Sequence, residues 1–308
     1  MSRYLIILNP IAGAGNSLKV LPRIKELLSH YGLNYDITVT KYPGHAVEIA
    51  CQAAENGYDY VISAGGDGTS NEVLNGLMQY NEKRGVSPVM GVLPVGRGND
   101  FAYGAGIPAG VDEACALLTS LPTKWIDIGR VNVDDQPNGL YFGNGVGIGF
   151  DAVVGFLAST MKMKGMLSYL VAAIKTVFIY YKTPIATVQY GEDSFTLPAL
   201  MVSVMNGRRM GGGFMMAPSA TVYDGLFNIC IVREVPQLAI FGLILKFMKG
   251  THLTDPAVRS GQSNRVIVTA LKGSLPVHAD GNRVCEAGQK ITVELIPRAL
   301  ELITSLRS

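Results

Sequence analysis

One glycine-rich segment carries an acidic residue in its middle: Gly65-Gly66-Asp67-Gly68-Thr69, between a short apolar run and a stretch with helical spacing. Glycines let backbone amides approach phosphate oxygens closely, because no Cβ lies in the way. The helix that follows adds oriented N–H groups and a positive dipole end. Asp67 would repel a phosphate unless a divalent cation lay between them, so the segment predicts a phosphate-binding loop that works with Mg²⁺. A glycine turn with a surface aspartate is the alternative interpretation.

Two further glycine loops follow apolar runs of strand length. One is Asn9-Pro10-Ile11-Ala12-Gly13-Ala14-Gly15, and the other spans residues 93–101 and contains Arg97 and Asp100. In an open α/β sheet, ligands bind outside the carboxyl ends of the strands. We therefore expect the three loops to converge at one edge of a sheet.

The elements that position these loops alternate in the first third of the chain. Strands are predicted at 4–8, 36–40, 60–63 and 89–93, and helical spacing lies between them at 17–31, 45–56 and 69–79. A continuous apolar run is typical of a strand that is buried on both faces. The alternation predicts an α/β, Rossmann-like nucleotide-binding domain with a parallel sheet.

The pattern changes after about residue 126. Short strands separated by turn residues are predicted at 127–133, 140–144, 187–190, 199–206, 226–232, 265–270 and 291–295, with helices at 165–181 and 236–249. Such a pattern is typical of an antiparallel β-sandwich. We expect a nucleotide-binding domain over 1–127, a β-sandwich substrate domain over 128–296 and an active site in the cleft between them. Residues 297–308, after a break at Pro297, are expected to return to the first domain.

The composition argues against several functional classes. Lysine and arginine total 26 against 24 acidic residues, so net charge gives no support for nucleic-acid binding. The four cysteines are far apart and have no nearby histidine pairs, which fits neither a zinc site nor a thioredoxin-like motif. We find no cleavable signal peptide and no apolar run long enough to span a bilayer, and we expect a cytoplasmic protein with reduced thiols.

The order and spacing of the loops resemble the diacylglycerol kinase catalytic domain family, which includes bacterial lipid kinases, sphingosine kinases and ceramide kinases. The likeness continues through 127–129, 145–151, 206–213 and 217–225, and so covers nearly the whole chain. It implies ATP-dependent transfer of a phosphoryl group to a primary hydroxyl of a lipid. Diacylglycerol or a related glycerolipid is the expected acceptor, with ceramide, a sphingoid base or phosphatidylglycerol as alternatives.

The resemblance implies roles for individual residues. The nucleotide would contact Asn9, Pro10, Ile11, Ala12, Gly13, Thr40, Gly65, Gly66, Asp67, Gly68, Thr69, Ser70, Asn71 and Arg97. Asp67, Asp100 and Asp127 would form the acidic set that holds the catalytic Mg²⁺. A second, structural Mg²⁺ would be bound by the Asp224 side chain and the backbone carbonyls of Thr221 and Leu226. Without the resemblance, residues 223–225 would be interpreted as a hairpin turn.

Two residues depart from the family pattern. Arg97 stands where a threonine is usual, and its guanidinium could contact phosphate or narrow the pocket. Asn282 replaces the glutamate of an Asp-Gly-Glu motif that supplies the general base, and an amide cannot accept that proton. Either a neighbour such as Asp280 takes the role, or transfer proceeds without a strong base, because a loose transition state lets the proton leave late. A weakly active or inactive chain is the remaining alternative.

The helical stretches bear on access to a lipid. Segments 161–182 and 238–249 are mostly apolar, and Lys162, Lys164, Lys175 and Lys182 punctuate the first of them. Either could rest on an anionic surface, which predicts peripheral contact with the inner membrane face, or both could be core helices of the sandwich. The family resemblance also makes a homodimer possible.

Two rival functions remain open at this stage. A soluble small-molecule kinase similar to the NAD kinases would use a related glycine-aspartate loop. A non-enzymatic nucleotide- or lipid-binding module would explain Asn282.

Overall fold

The computed structural model describes residues 2–136, 139–161 and 166–306. The chain divides into two compact units, one formed by Met1–Asp127 with Pro297–Ser308 and the other by Ile128–Ile296. The boundary falls where the sequence changes from alternating strands and helices to closely spaced strands.

The first unit is an α/β domain. Its elements are β1 (Arg3–Leu8), α1 (Ala12–His30), β2 (Asn34–Val39), α2 (His45–Glu55), β3 (Tyr60–Gly65), α3 (Asp67–Arg84), β4 (Val89–Pro94), α4 (Asp100–Gly104), α5 (Val111–Ser120) and the start of β5 (Thr123–Val133). Strands β2, β1, β3 and β4 are neighbours in that order, and every pair is parallel. Ile6 and Ile7 at the centre of β1 are fully buried, as expected for a parallel sheet covered on both faces.

The second unit is built mainly of antiparallel strands. Its elements are the remainder of β5, β6 (Leu140–Phe142), β7 (Gly145–Gly149), α6 (Phe150–Thr160), α7 (Met166–Ile179), β8 (Ile185–Tyr190), β9 (Asp193–Met205), β10 (Phe227–Arg233), α8 (Ala239–Lys249), β11 (Val258–Ser263), β12 (Arg265–Lys272), β13 (Leu275–Ala279), β14 (Asn282–Gly288) and β15 (Lys290–Ile303). The α/β and β-sandwich fold class predicted from the sequence is confirmed.

The long strand β9 belongs to both layers of the sandwich. Its second half lies between β7 and β10, in the order β14-β13-β7-β9-β10-β11. Its first half pairs with β8, which continues to β12 and β15. Alternate residues such as Val146, Val202 and Val277 enclose the core between the layers. The opposite face of the first layer packs on α6, α7 and α8 through a second apolar cluster.

Several elements were not predicted from the sequence, namely α4, α5, α6, β7, β11, β13 and β14. Residues 145–149 were not predicted as a strand, because glycine weakens strand propensity, yet they form β7 between β13 and β9. A break was predicted at Pro297, but β15 runs through it and pairs Leu302 with Met90 of β4 in parallel. Residues after 297 lie with the first unit, where Thr304 donates a backbone hydrogen bond to Pro122.

Candidate active site

Three loops meet at the carboxyl ends of β1, β3 and β4. We name residues 9–15, 65–69 and 94–100 the loop cluster. Its first two members are joined by a hydrogen bond from Asn9 Nδ2 to Thr69 Oγ1 at 3.0 Å. The second and third are joined by the backbone bond from Val95 N to the Gly65 carbonyl at 3.0 Å. The convergence expected from the strand order is therefore present.

Glycines make this convergence possible, because the loops contact one another through backbone atoms. A Cβ on Gly96 would lie 2.2 Å from the Cα of Gly66, and a Cβ on Gly13 would lie 2.5 Å from the Val95 carbonyl oxygen. Gly13 also has φ +61°, a conformation that side chains other than glycine rarely adopt. Any larger side chain at these positions would force the loops apart.

Asp67 is the first residue of α3 and connects two members of the loop cluster. Strand β3 ends at Gly65 and the helix begins two residues later, so the N–H groups of its first turn lack intrahelical partners. The Asp67 carboxylate accepts a hydrogen bond from the Phe101 N–H at 3.0 Å. A Cβ on Gly98 would lie 2.8 Å from Asp67 Oδ2 and 3.4 Å from Asp100 Oδ2, so both carboxylates lie beside this glycine.

The electrostatics at Gly98 favour a cation. Burial raises the pKa of the Asp67 carboxyl, while hydrogen bonds from the backbone N–H groups of Phe101, Asp100 and Asn99 act in the opposite direction. Mg²⁺ in phosphate sites commonly takes one or two carboxylates, phosphate oxygens and water. The two carboxylates therefore fit such an ion. No group of three or more histidine, cysteine or acidic side chains with metal-binding geometry occurs in the described ranges.

The other predicted residues of the first unit have distinct positions. Asp127 is buried and its Oδ1 accepts a hydrogen bond from the Arg298 N–H at 2.9 Å. The Thr40 N–H donates to the Leu8 carbonyl at 2.9 Å, which holds it at the end of β1. Ser70 Oγ lies 3.1 Å from Ser63 Oγ, so Ser70 faces strand β3. Asn71 accepts hydrogen bonds from Asn75 within helix α3. Arg97 is exposed.

Asp280 lies in the second unit and is tightly bound by backbone. Its carboxylate accepts hydrogen bonds from three consecutive N–H groups, those of Gly143 at 2.7 Å, Asn144 at 3.1 Å and Gly145 at 2.8 Å. The Asp280 N–H returns a bond to the Gly145 carbonyl at 3.1 Å. We call this arrangement the Asp280 clamp. It fixes the turn that precedes Asn282, the first residue of β14.

The predicted structural cation site is a turn in the structure. Asp224 Oδ1 accepts a hydrogen bond from the Leu226 N–H at 3.1 Å, and Gly225 has φ +78°. Thr221 lies three residues before Asp224, and both Thr221 and Leu226 are partly buried. An aspartate whose side chain accepts the N–H two residues on is a common turn device.

Family models match most of the chain. The diacylglycerol kinase catalytic domain matches residues 3–131, and the YegS C-terminal NAD kinase beta sandwich-like domain matches residues 144–304. A protein named probable lipid kinase YegS, from Salmonella paratyphi A, is 31% identical over 298 residues, which cover 96% of this chain and 94% of that protein. The chain belongs to the diacylglycerol kinase family and is a lipid kinase.

Other relatives support the assignment of this lipid kinase to the family. The Bacillus subtilis diacylglycerol kinase is 29% identical over 284 residues, 91% of this chain and 90% of that protein. A crystal structure of a diacylglycerol kinase from Bacillus anthracis superimposes with a TM-score of 0.73 at 23% identity, over 99% of this chain and 97% of that one. The yeast NADH kinase superimposes with a TM-score of 0.50 at 9% identity, over 98% of this chain and 82% of that one. The last two comparisons show a shared fold.

Sequence reasoning did not find every residue that shapes the lipid kinase's loops and turns. Asn99 adopts φ 53° and its Oδ1 accepts the Gly96 N–H at 3.1 Å, which shapes the third loop. The N–H groups of residues 143–145 form the Asp280 clamp. Asn99 stands within the loop segment 93–101 and could have been found, whereas a backbone N–H leaves no signal in the residue types.

No helix within the described ranges combines the length and apolar character needed to cross a membrane.

Proposed function

We propose that this lipid kinase transfers the γ-phosphoryl group of ATP to the primary hydroxyl of diacylglycerol or a related glycerolipid. The observation that supports it most is the loop cluster, in which three backbone loops and two carboxylates meet. Phosphoryl transfer depends on positioning and charge neutralisation more than on covalent chemistry, and this arrangement offers both.

The nucleotide would be held largely by backbone. The first turn of α3 presents N–H groups beside Gly65 and Gly66, where no Cβ blocks an approaching phosphate. The first loop is held against this turn by Asn9 and Thr69. The exposed guanidinium of Arg97 supplies a positive charge from the third loop.

Mg²⁺ is the cation that this proposal requires. Asp67 and Asp100 would hold it, directly or through water, and Asp127 would add to the acidic set predicted from the family pattern. The ion supplies neutralisation of charge on the β- and γ-phosphates. The structural cation proposed at Asp224, with the carbonyls of Thr221 and Leu226, rests on the resemblance alone.

The lipid would contact helices α7 and α8 of the second unit. On α7, Leu167, Phe178 and Ile179 are 56%, 63% and 66% exposed, and Lys175 is exposed on the same helix. On α8, Leu245 is 58% exposed. Apolar side chains interspersed with lysines are typical of helices that rest on an anionic surface, so we propose peripheral membrane contact here. Lys162 and Lys164, predicted to take part, lie outside the described residues.

The experiment is a panel of acceptors with ATP labelled at the γ-phosphate. Diacylglycerol, ceramide, a sphingoid base, phosphatidylglycerol and NAD are each incubated with the protein and Mg²⁺, and the products are separated by chromatography. Label in the diacylglycerol product supports the proposal, and label in ceramide phosphate or another lipid changes the acceptor. If calorimetry shows that ATP binds but no labelled product forms, the result favours the non-enzymatic binding module that Asn282 suggests.

A further inference from the structure

The loops that follow β1 and β2 leave the first sheet toward opposite faces. The two strands are parallel neighbours, and Leu8 is paired with Val39 at their carboxyl ends. The connection from β1 to β2 crosses the sheet in one direction, and the connection from β2 to β3 crosses it in the other. Because parallel crossovers are right-handed, α1 and α2 lie on opposite faces. The two loops therefore diverge and leave a crevice between them, at the edge where ligands bind in such sheets.

Two stacked rings stand on the β2 side of this crevice. The ring centroids of Tyr42 and His45 are 4.5 Å apart, and the rings are inclined by 26°. His45 covers one face of the Tyr42 ring. Since Tyr42 is 49% exposed, the opposite face is accessible to a second planar group.

Hydrogen bonds hold this ring pair in place. The Tyr42 hydroxyl donates to Glu48 Oε2 at 2.8 Å. The Lys41 N–H donates to His45 Nδ1 at 3.1 Å, which fixes the imidazole beneath the phenol. Side chains that are ordered in advance lose little freedom when a ligand packs on them. The Tyr42 ring is therefore a preformed surface.

The segment that carries the ring pair is anchored to α3, whose first turn belongs to the loop cluster. Glu72 of α3 accepts the Gly44 N–H at 3.0 Å through Oε1 and the Ala46 N–H at 3.2 Å through Oε2. The ends of β2 and β3 are two strand spacings apart, about 10 Å. A nucleotide can bridge such a separation between its phosphates and its base.

Ile11 stands on the β1 side of the crevice and is 78% exposed. Its N–H donates to Asn9 Oδ1 at 3.1 Å, and Asn9 also joins this loop to Thr69. Ile11 and Tyr42 each lie three residues beyond the paired ends of their strands. Two large apolar side chains are thus exposed on neighbouring loops. A flat aromatic group between them would remove apolar surface on both from water, which favours binding.

We propose that the base of the nucleotide stacks on Tyr42, with Ile11 against its opposite face, and that this surface favours purines. The inference rests on the proposed function, which places the phosphates in the loop cluster. Neither Tyr42 nor His45 was among the nucleotide contacts predicted from the family pattern. A purine presents two fused rings to the phenol and a pyrimidine presents one, so a purine stacks over more of it. Stacking stabilises the ground state and the transition state equally, so its loss raises KM for ATP and leaves kcat unchanged.

The test measures binding of ADP, CDP and tripolyphosphate to the full chain by calorimetry, each with Mg²⁺. Tripolyphosphate carries phosphates without a base, so it separates stacking from phosphate binding. Tyr42→Ala is expected to weaken ADP binding by about 10-fold or more and to leave tripolyphosphate binding unchanged. Tyr42→Phe keeps the ring and should bind ADP within about threefold of wild type. Wild type should prefer ADP to CDP, and Tyr42→Ala should lose that preference.

Tyr31→Ala is the matched control. Tyr31 is 37% exposed, and its ring also contacts a histidine, His30, with 5.3 Å between the centroids. It lies between the end of α1 and the start of β2, at the amino ends of the strands and away from the loop cluster. Its ADP and tripolyphosphate binding should match wild type. A loss of ADP binding in Tyr31→Ala as large as in Tyr42→Ala would overturn the assignment.

Three other results would also overturn the stacking role. They are unchanged ADP binding in Tyr42→Ala, equal weakening of ADP and tripolyphosphate in that variant, and a Tyr42→Phe variant as weak as Tyr42→Ala.

Kinetics separate this inference from the proposed function. If wild type phosphorylates diacylglycerol and Tyr42→Ala has an unchanged KM for ATP, the inference fails and the kinase function stands. If wild type forms no lipid product but its ADP binding depends on Tyr42 as described, the proposed transfer fails and the inference stands. If wild type binds no nucleotide, both fail.

Discussion

The carboxylate of Asp67 accepts a hydrogen bond from the Phe101 N–H at 3.0 Å, which ties the turn before α3 to the loop that carries Asp100. One side chain thus holds two loops together and brings negative charge to their junction. Because the same contact fixes the second carboxylate beside Gly98, positioning and charge at this site depend on each other.

Replacing Asp67 by asparagine should remove the negative charge of this side chain while keeping its hydrogen bond to Phe101. The amide oxygen of Asp67→Asn can still accept the Phe101 N–H, so the loops should stay joined. Burial disfavours the charged form of Asp67, so the melting temperature at pH 7 should be unchanged or higher. Phosphoryl transfer should fall by about 100-fold or more, because the proposed Mg²⁺ would lose one of its two carboxylates. Asp193→Asn, an exposed change, serves as control, and activity within about threefold of wild type in Asp67→Asn would contradict the role.

The contact between Gly66 and Gly96 predicts a sharp difference between two glycine substitutions. In Gly96→Ala the new Cβ would meet backbone, so we expect a loss of about 2 kcal/mol or more in the free energy of unfolding and weaker ATP binding. Gly242 lies exposed within α8 with nothing near its absent Cβ, and Gly242→Ala should stabilise by about 0.5–1 kcal/mol. Denaturant titration and calorimetry measure both, and equal effects at the two sites would refute the close approach.

The Asp280 clamp should be worth several hydrogen bonds. In Asp280→Asn one of the three N–H groups must face an amide NH₂, which leaves a buried donor unsatisfied. We expect a loss of about 3 kcal/mol in the free energy of unfolding. Chemical denaturation measures it against Asp193→Asn, which should lose less than about 0.5 kcal/mol. A loss for Asp280→Asn as small as that of the control would show that the clamp does not stabilise the fold.

Asp151 and His278 should oppose each other in the pH dependence of stability. The Asp151 pKa rises from 3.8 to about 7 on folding, so the native state binds more protons and stability falls as pH rises across this window. The His278 pKa falls from 6.5 to about 4, so stability falls as pH drops through that window. Their contributions should nearly cancel between about pH 4 and pH 6.5.

Single variants should expose the two slopes. Relative to wild type, Asp151→Asn should gain stability as pH rises from 4 to 6.5, and His278→Gln should lose stability over the same range. Each slope is at most about 1.4 kcal/mol per pH unit, the value for one proton. Urea titrations at several pH values measure the differences. Parallel curves for all three proteins would mean that neither group changes its pKa on folding.

Much of the first unit could be predicted because β1, β3 and β4 are mostly apolar runs and the glycine loops follow them directly. In the second unit, β7 was missed because the sequence of residues 145–149 has glycine at alternate positions. Gly147 lacks a side chain for a packing reason that involves His278 and Asp151, residues distant in the sequence. Long-range packing of this kind leaves no local pattern.

The residues of the candidate site also divide into those that the sequence predicts and those that it does not. Asp67 and Asp100 stand within motifs of recognisable spacing, and their proximity beside Gly98 follows from the order of the parallel strands. Asp151, Ser203 and His278 have no such signal, because these residues of different elements meet only through the packing of α6 and the register of the strands. Asp280 was assigned to chemistry from its motif, and only coordinates show that three backbone N–H groups occupy its carboxylate.

The central claim is that the loop cluster positions ATP for transfer to a lipid hydroxyl. The most direct measurement follows label from γ-labelled ATP into an organic-soluble product, with diacylglycerol micelles and Mg²⁺, for wild type and Asp67→Asn. We predict labelled phosphatidic acid with wild type, and about 100-fold less with Asp67→Asn or after chelation of Mg²⁺. Label that stays in ATP, or appears only as inorganic phosphate, would contradict the account.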